Sequence, residues 1–217
     1  MHAEYSIMQK ITNKGDKRQA AKHKVCKYAI GMFYKDGTRN VKMDDISGQL
    51  KISKRTIYEL FKDKEQLLLE CMKYKVETEQ NELYDFVHNH ATNVIEVLIK
   101  TYQIRLEVMK KITPAFFEDL ERYPNVRKYL KQQAKLEHKR SIQFFNQGIE
   151  DGYFRESINY EIITRMSDAY MDYILKNRLY DTFTMKELFF NFVSVIVRGY
   201  CTEKGLEVLG KFYDEYK

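Results

Sequence analysis

The chain of 217 residues has no apolar run approaching the roughly 18 residues that a membrane span needs. Its greasiest stretch, Leu188 to Val197, is broken by Asn191 and Ser194. Met1 to Lys10 lacks the apolar core of an export signal. Cys26, Cys71 and Cys201 are odd in number and far apart, so they read as reduced thiols of a cytoplasmic protein rather than a disulfide framework. No phosphate-cradling glycine loop, metalloprotease helix motif or cysteine pair is present. His88 and His90, two apart on a presumed helix, point in different directions and make poor metal partners. Acidic pairs such as Glu118-Asp119 read as surface. These absences argue against an enzyme, nominate no catalytic or metal-binding residue, and require no cofactor.

Helix breakers are scarce too. The only prolines are Pro114 and Pro124, and no glycine falls between Gly48 and Gly148. Long stretches rich in Leu, Glu, Lys and Gln favour helix, and no strand-like alternation or internal repeat interrupts them. The expected fold is all-α with about nine helices, an N-terminal three-helix head carrying a helix-turn-helix and a larger helical-bundle body. The first helix is expected over 16–36, with Ala21, Val25, Ala29 and Phe33 every fourth residue and Gly37 as a left-handed cap. A second spans 43–50. Ser53 caps a third of about eight residues, and Asp63 caps a fourth that runs to His88, with Gln66 completing a capping box. The remaining five fall near 93–112, 114–122, 125–150, 159–178 and 184–201, with Gly152 ending the seventh. The domains divide as a flexible basic leader over 1–15, a helix-turn-helix head over 16–63 and a larger helical body over 64–217.

The net charge of +6 is concentrated: residues 1–65 hold 15 Lys and Arg against 8 Asp and Glu, while the rest hold 22 against 23. Such asymmetry suits contact with nucleic acid or another anionic surface. Two short helices joined by a few residues, over 46–61, form the helix-turn-helix arrangement whose second helix enters the major groove. On that second helix Ile57, Leu60 and Phe61 share the face that must be buried. Lys54, Arg55, Thr56, Tyr58 and Glu59 stay outside, a surface fitted to phosphates and base edges. Lys64, just past the Asp63 cap, joins an ammonium to the amides of a helix N-terminus, a place for one phosphate. Lys10, Lys14, Lys17, Arg18, Lys22 and Lys24 form a basic leader that either reaches an adjacent minor groove as an arm or, the favoured reading, adds a flexible, non-specific electrostatic contribution.

The pattern Ser53-x-x-Thr56-x-Tyr58-x-x-Phe61-x-x-Lys64-Glu65, preceded by Gly37 and Asp45-Ile46, closely resembles the head of TetR-family regulators over about residues 17–72. The segment Gly148-x-x-x-Gly152-Tyr153-Phe154-Arg155 extends a looser likeness into the body. The resemblance implies base reading by Lys54 and Arg55, phosphate contacts by Thr56, Tyr58 and Lys64, and repression relieved by a ligand. Three positions depart from it. Lys42 stands where Thr or Ser usually caps the second helix, Lys51 replaces a common turn glycine, and Leu60 replaces an aromatic or His. Lys42 adds a possible phosphate contact, and Ser53 completes the nominated DNA-binding set.

Helices 159–178 and 184–201 are apolar around most of their circumference, enough for a core and a partner at once. Only Glu187, Asn191, Ser194 and Arg198 form a polar strip on the second of them. A two-fold dimer sealed by a four-helix bundle follows, whose two heads would read an inverted repeat in a double-stranded DNA operator. In the fifth helix Arg105 projects into the apolar side, where a guanidinium must be paired. Its partner is either a carboxylate such as Glu118, Glu137 or Asp168, or the anionic end of a small-molecule effector. Tyr102, Met109, Phe116, Tyr170 and Tyr173 are the aromatic and soft residues nominated beside it for an effector pocket. The rival to a DNA regulator is a helical module that binds anionic surfaces without sequence specificity. The regulator reading fails if Arg55 and Tyr58 pack inward.

Overall fold

A computed structural model describes residues 2–215, with side chains over 16–211 except at 171, 175, 185, 189 and 193. Its helices are α1 (His2–Asn40), α2 (Met43–Gln49), α3 (Lys54–Leu60), α4 (Lys64–Asn89), α5 (Val94–Met109), α6 (Pro114–Leu120), α7 (Pro124–Glu150), α8 (Tyr160–Lys176), α9 (Met185–Tyr200) and α10 (Glu203–Glu215). A 3-10 turn, Leu179–Asp181, links α8 to α9. Among the described residues there is no β-strand, only an isolated bridge between Phe154 and Cys201, so the chain is all-α.

Local chemistry explains most boundaries. Ser53, Asn93 and Thr184 each accept a backbone N–H from three residues on, at the starts of α3, α5 and α9. Pro114 and Pro124 open α6 and α7, where a missing N–H costs nothing. Asp63 accepts the Gln66 N–H as expected, but the Gln66 side chain reaches back one residue further, to the Lys62 N–H. At Gly37 φ is 76° and ψ 160°, so regular helix ends at Asp36 and the chain leaves by an extended, positive-φ step instead of a left-handed helical cap.

Two expectations are corrected. The backbone of α1 is helical from His2, ahead of the expected start at Asp16, because nothing before Gly15 breaks a helix; the side chains of residues 1–15, with Lys10 and Lys14, lie outside the described set. The tenth helix, α10, has no counterpart in the expected nine. Gly205 and Gly210 dilute its helix signal. A Cβ at position 205 would stand 2.5 Å from the Tyr153 carbonyl oxygen, so close packing, not a turn, demands that glycine.

The chain divides into two compact units, residues 1–78 with 115–129, and residues 79–114 with 130–217. The first is cored by Val25, Cys26, Ala29 and Phe33 of α1, Ile46 of α2, Ile57 of α3, Phe61 beyond it and Leu67, Leu68 and Cys71 of α4, all buried. Phe116 of α6 meets Tyr34 edge-on with ring centres 4.9 Å apart. Burial pushes the Cys71 thiol well up, as does its hydrogen-bonded neighbour Cys26, and all three cysteines are buried and free.

In the second unit Phe145, Phe154, Tyr160 and Tyr200 form an aromatic cluster with Val94, Ile95, Leu98, Val197 and Leu209. Burial raises the Tyr160 phenol to about 12 and the Cys201 thiol to about 11. The cluster explains the segment 148–155. The N–H groups of Gly152 and Tyr153 close α7 on the carbonyls of Ile149 and Gly148, with Gly152 at positive φ, and the chain then turns Phe154 back over Gly148. A Cβ at position 148 would lie 2.1 Å from the Phe154 ring.

Candidate nucleic-acid interface and the cavity behind it

The helix-turn-helix is held by its backbone. Ile52 N–H donates to Ser47 O at 3.0 Å and Lys51 N–H to Gly48 O at 3.1 Å, a Schellman closure of α2 with Lys51 in the left-handed region at φ 54°. Lys51 thus occupies a conformation that glycine adopts without strain, in keeping with its place as a substitute for a turn glycine. Lys42 is the N-cap of α2; its side chain accepts nothing, and Asp45 instead takes the Lys42 N–H at 2.8 Å.

On α3 Ile57 is fully buried, as is Phe61 just past its end, while Leu60 is only half-buried, short of the full burial expected. Lys54, Arg55, Tyr58 and Glu59 are exposed, Tyr58 by 51%, so the outcome that would have overturned the regulator reading is not found. Ser53 is spent locally: its hydroxyl accepts the Thr56 N–H and lies 2.8 Å from the Thr56 hydroxyl. Lys54 is paired with Asp44 of α2 and Arg55 with Glu59 one turn on, which raises the basicity of both cations. A duplex approaching this face meets cations pre-ordered by neighbouring acids, at the cost of those exposed and therefore weak pairs.

Two residues brace this surface. Arg18 donates from Nη2 to the Glu59 carbonyl at 3.0 Å, placing a cation on the C-terminal end of α3. Asp119 is 5% exposed, which corrects its reading as surface: Oδ2 accepts the Arg39 N–H at 2.7 Å and holds the turn that leads into α2. Lys64 leans toward the same turn, its ammonium 3.4 Å from the Arg39 carbonyl, and partial burial lowers its basicity against the attraction of Asp119 and Asp45.

The second unit contains a cavity of about 850 Å³ lined by α5, α9, the end of α4 and Leu209 of α10. Of the residues nominated for an effector, only Tyr102 lines it. Arg105 is exposed, not buried, and pairs with Glu137 of α7 at 2.8 Å; the carboxylate alternative describes it, because the apolar side of α5 is narrower at that position than periodicity suggests. Met109 is half-buried off the cavity, Tyr173 is exposed, and Tyr170 stacks on Phe192 and donates to the Leu188 carbonyl. Phe116 is core of the first unit. These five do not converge. The lining is mixed: Lys100, Gln103 and Glu107 of α5 and Glu187, Asn191 and Ser194 of α9 share it with the apolar Leu98, Ile99, Leu106 and Phe190. The signal was present as the narrow polar strip on an otherwise apolar α9.

Among the described residues no group of His, Cys, Asp and Glu could hold a metal ion, and no helix is long and apolar enough to cross a membrane.

Residues 27–71 match the family model described as bacterial regulatory proteins, tetR family. No curated protein matches the chain. Among solved structures, a transcriptional regulator from Saccharomonospora viridis in complex with choline is similar at TM-score 0.68 and 16% identity, over 85% of this chain and all of that one. A TetR-family transcriptional regulator from Marinobacter aquaeolei VT8 is similar at TM-score 0.67 and 17% identity, over 90% of this chain and 98% of that one. The ketosteroid transcriptional regulator KstR2 of Mycobacterium tuberculosis is similar at TM-score 0.56 and 21% identity, over 84% and 96%. A head that matches the tetR-family model from residue 27 to 71 thus sits inside an all-helical fold that is similar to those of solved transcriptional regulators.

Proposed function

We propose that the protein acts as a dimeric repressor that binds an inverted-repeat operator and releases it when a small effector fills the cavity of the second unit. The observation that carries the reading is the outer face of α3, where Lys54, Arg55 and Tyr58 stand exposed on a helix anchored by buried Ile57. Lys54 and Arg55 read base edges from its first turn. Ser53 orders that turn, and Thr56, Tyr58, Lys42 and Lys64 serve the phosphates. Dimerisation uses α8 and α9, where Ile162, Met166, Tyr173 and Val195 remain exposed although apolar. A fold that holds choline in one relative has room for a small ligand here, and an effector shifts the operator equilibrium only by its differential affinity for two arrangements of the heads.

The test is a gel-shift titration, at several salt concentrations, on a promoter fragment with an inverted repeat beside the protein's own gene. Sequence-preferring binding with a steep salt slope is expected. The double variant Lys54→Ala, Arg55→Ala should lose that preference while keeping weak, salt-sensitive binding. Wild-type protein that binds all duplexes alike points to a non-specific anionic-surface module and overturns the proposal.

A further inference from the structure

We infer that each half of the operator carries a guanine read by the outward fork of Arg55, and that Glu59 is the positioning residue that aims this fork. The inference rests on the regulator reading and names the base that the reading head selects.

The pair stands on an anchored helix. Ile57 of α3 and Phe61 just past its end are both fully buried, and Ser53 caps the first turn. At the other end Arg18 holds the Glu59 carbonyl at 3.0 Å. Arg55 and Glu59, four residues apart, therefore meet on one outer face whose backbone is fixed at both ends.

The contact between them uses only one edge of the guanidinium. Arg55 donates through Nε to Glu59 Oε1 at 2.7 Å, and neither terminal nitrogen has a hydrogen-bond partner among the described residues. A guanidinium is planar, so holding Nε also sets the direction of the edge formed by Nη1 and Nη2. That edge presents two parallel N–H donors. Of the four bases only guanine offers two acceptors side by side in the major groove, O6 and N7. Adenine has an amino donor where guanine has O6, so one N–H of the fork would face another. The Arg55 side chain is 88% exposed and lies in the first turn of α3, the part of a recognition helix that meets base edges.

Lys54 is not equipped for this task. Its ammonium is paired with Asp44 of α2 and is a point charge without a fixed fork. Glu59, beside a polyanion, weakens binding to any duplex; what it supplies in return is direction. In water an exposed pair of this kind is weak, and it strengthens as the groove excludes solvent.

The test is selection of bound duplexes from a random library by the full-length protein, followed by titration of the selected site. A guanine should recur at one position in each half-site. Replacing it with adenine, or with 7-deazaguanine, which lacks the N7 acceptor, should weaken binding at least about fivefold. Arg55→Lys keeps the charge, loses the fork and should bind guanine and adenine sites alike. Glu59→Ala should lose most of the preference while its affinity for random duplex holds or rises. Glu59→Gln, which keeps an acceptor oxygen for Nε, should retain more of the preference than Glu59→Ala. Five outcomes overturn the inference and leave the regulator standing: a selected half-site without such a guanine, indifference to 7-deazaguanine, a preference that survives Arg55→Lys or Glu59→Ala, equal loss of preference by the alanine and glutamine variants, or an equal fall of Glu59→Ala on selected and random duplexes. A wild-type protein that selects no sequence means that the regulator reading itself has failed.

Discussion

At the scale of single residues the turn of the reading head carries a small, removable strain. Lys51 sits at φ 54°, where a Cβ crowds the following carbonyl at a cost of about 1 kcal/mol. Glycine adopts that conformation freely but loses more entropy on folding, so part of the gain is returned. Lys51→Gly should therefore stabilise the protein by at most about 0.5 kcal/mol, read as a rise in the urea midpoint with unchanged slope. A lower midpoint would mean that Lys51 makes a compensating contact worth more than its strain. The same substitution deletes a cation beside α3, so weaker DNA binding in a more stable protein is the expected pairing. Arg105 teaches the opposite lesson about reading single residues. A guanidinium on an apolar stripe does find a carboxylate, Glu137, but at half exposure, where such a pair contributes little.

Elements are legible where they announce themselves locally and opaque where they answer to distant neighbours. Ser53, Asp63, Pro114, Pro124 and Gly152 mark helix ends through chemistry within a few residues, and the structure has helix ends at each. Asp119 does not announce itself: nothing near it in sequence reveals that its carboxylate meets the Arg39 N–H, eighty positions away. Nor does the cavity, whose lining mixes polar and apolar residues of α5 and α9 that lie about ninety positions apart in the chain. Gly148 shows how a long-range demand hides inside a helix. It lies in the last turn of α7, costs helix propensity there, and is kept because Phe154 packs where its Cβ would be. Gly148→Ala gains propensity yet must displace a ring that is 2% exposed and ringed by Phe145, Tyr160 and Tyr200. The expected result is a loss of about 1–3 kcal/mol, as for other overpacked cores, measured by chemical denaturation. Gly148→Ala with Phe154→Leu should recover part of it, and an unchanged single variant would show that the ring yields without cost.

For the whole molecule the decisive surface is one that a single chain leaves unfinished. Ile162, Met166 and Tyr173 recur along one stripe of α8, each about half exposed, and Val195 of α9 is 71% exposed. A soluble helix seldom leaves four such side chains in water without a partner. The side chains of Met171, Leu175, Phe189 and Val193, which also belong to the expected dimer helices, lie outside the described set. A second copy is the occupant that suits the proposed function, because one head gives only one half-site and a two-fold pair doubles the contacts without new chemistry. Replacing Ile162 and Tyr173 with glutamate puts like charges face to face across the two-fold axis and leaves each protomer's buried residues untouched. The variant should sediment as a monomer with unchanged helical content. Its operator affinity should fall by about a hundredfold or more, the usual worth of tethering two weak sites, while its affinity for an isolated half-site stays the same. A variant that remains dimeric, or a monomer that still binds the full operator at wild-type affinity, would move the dimer interface elsewhere or uncouple it from DNA recognition.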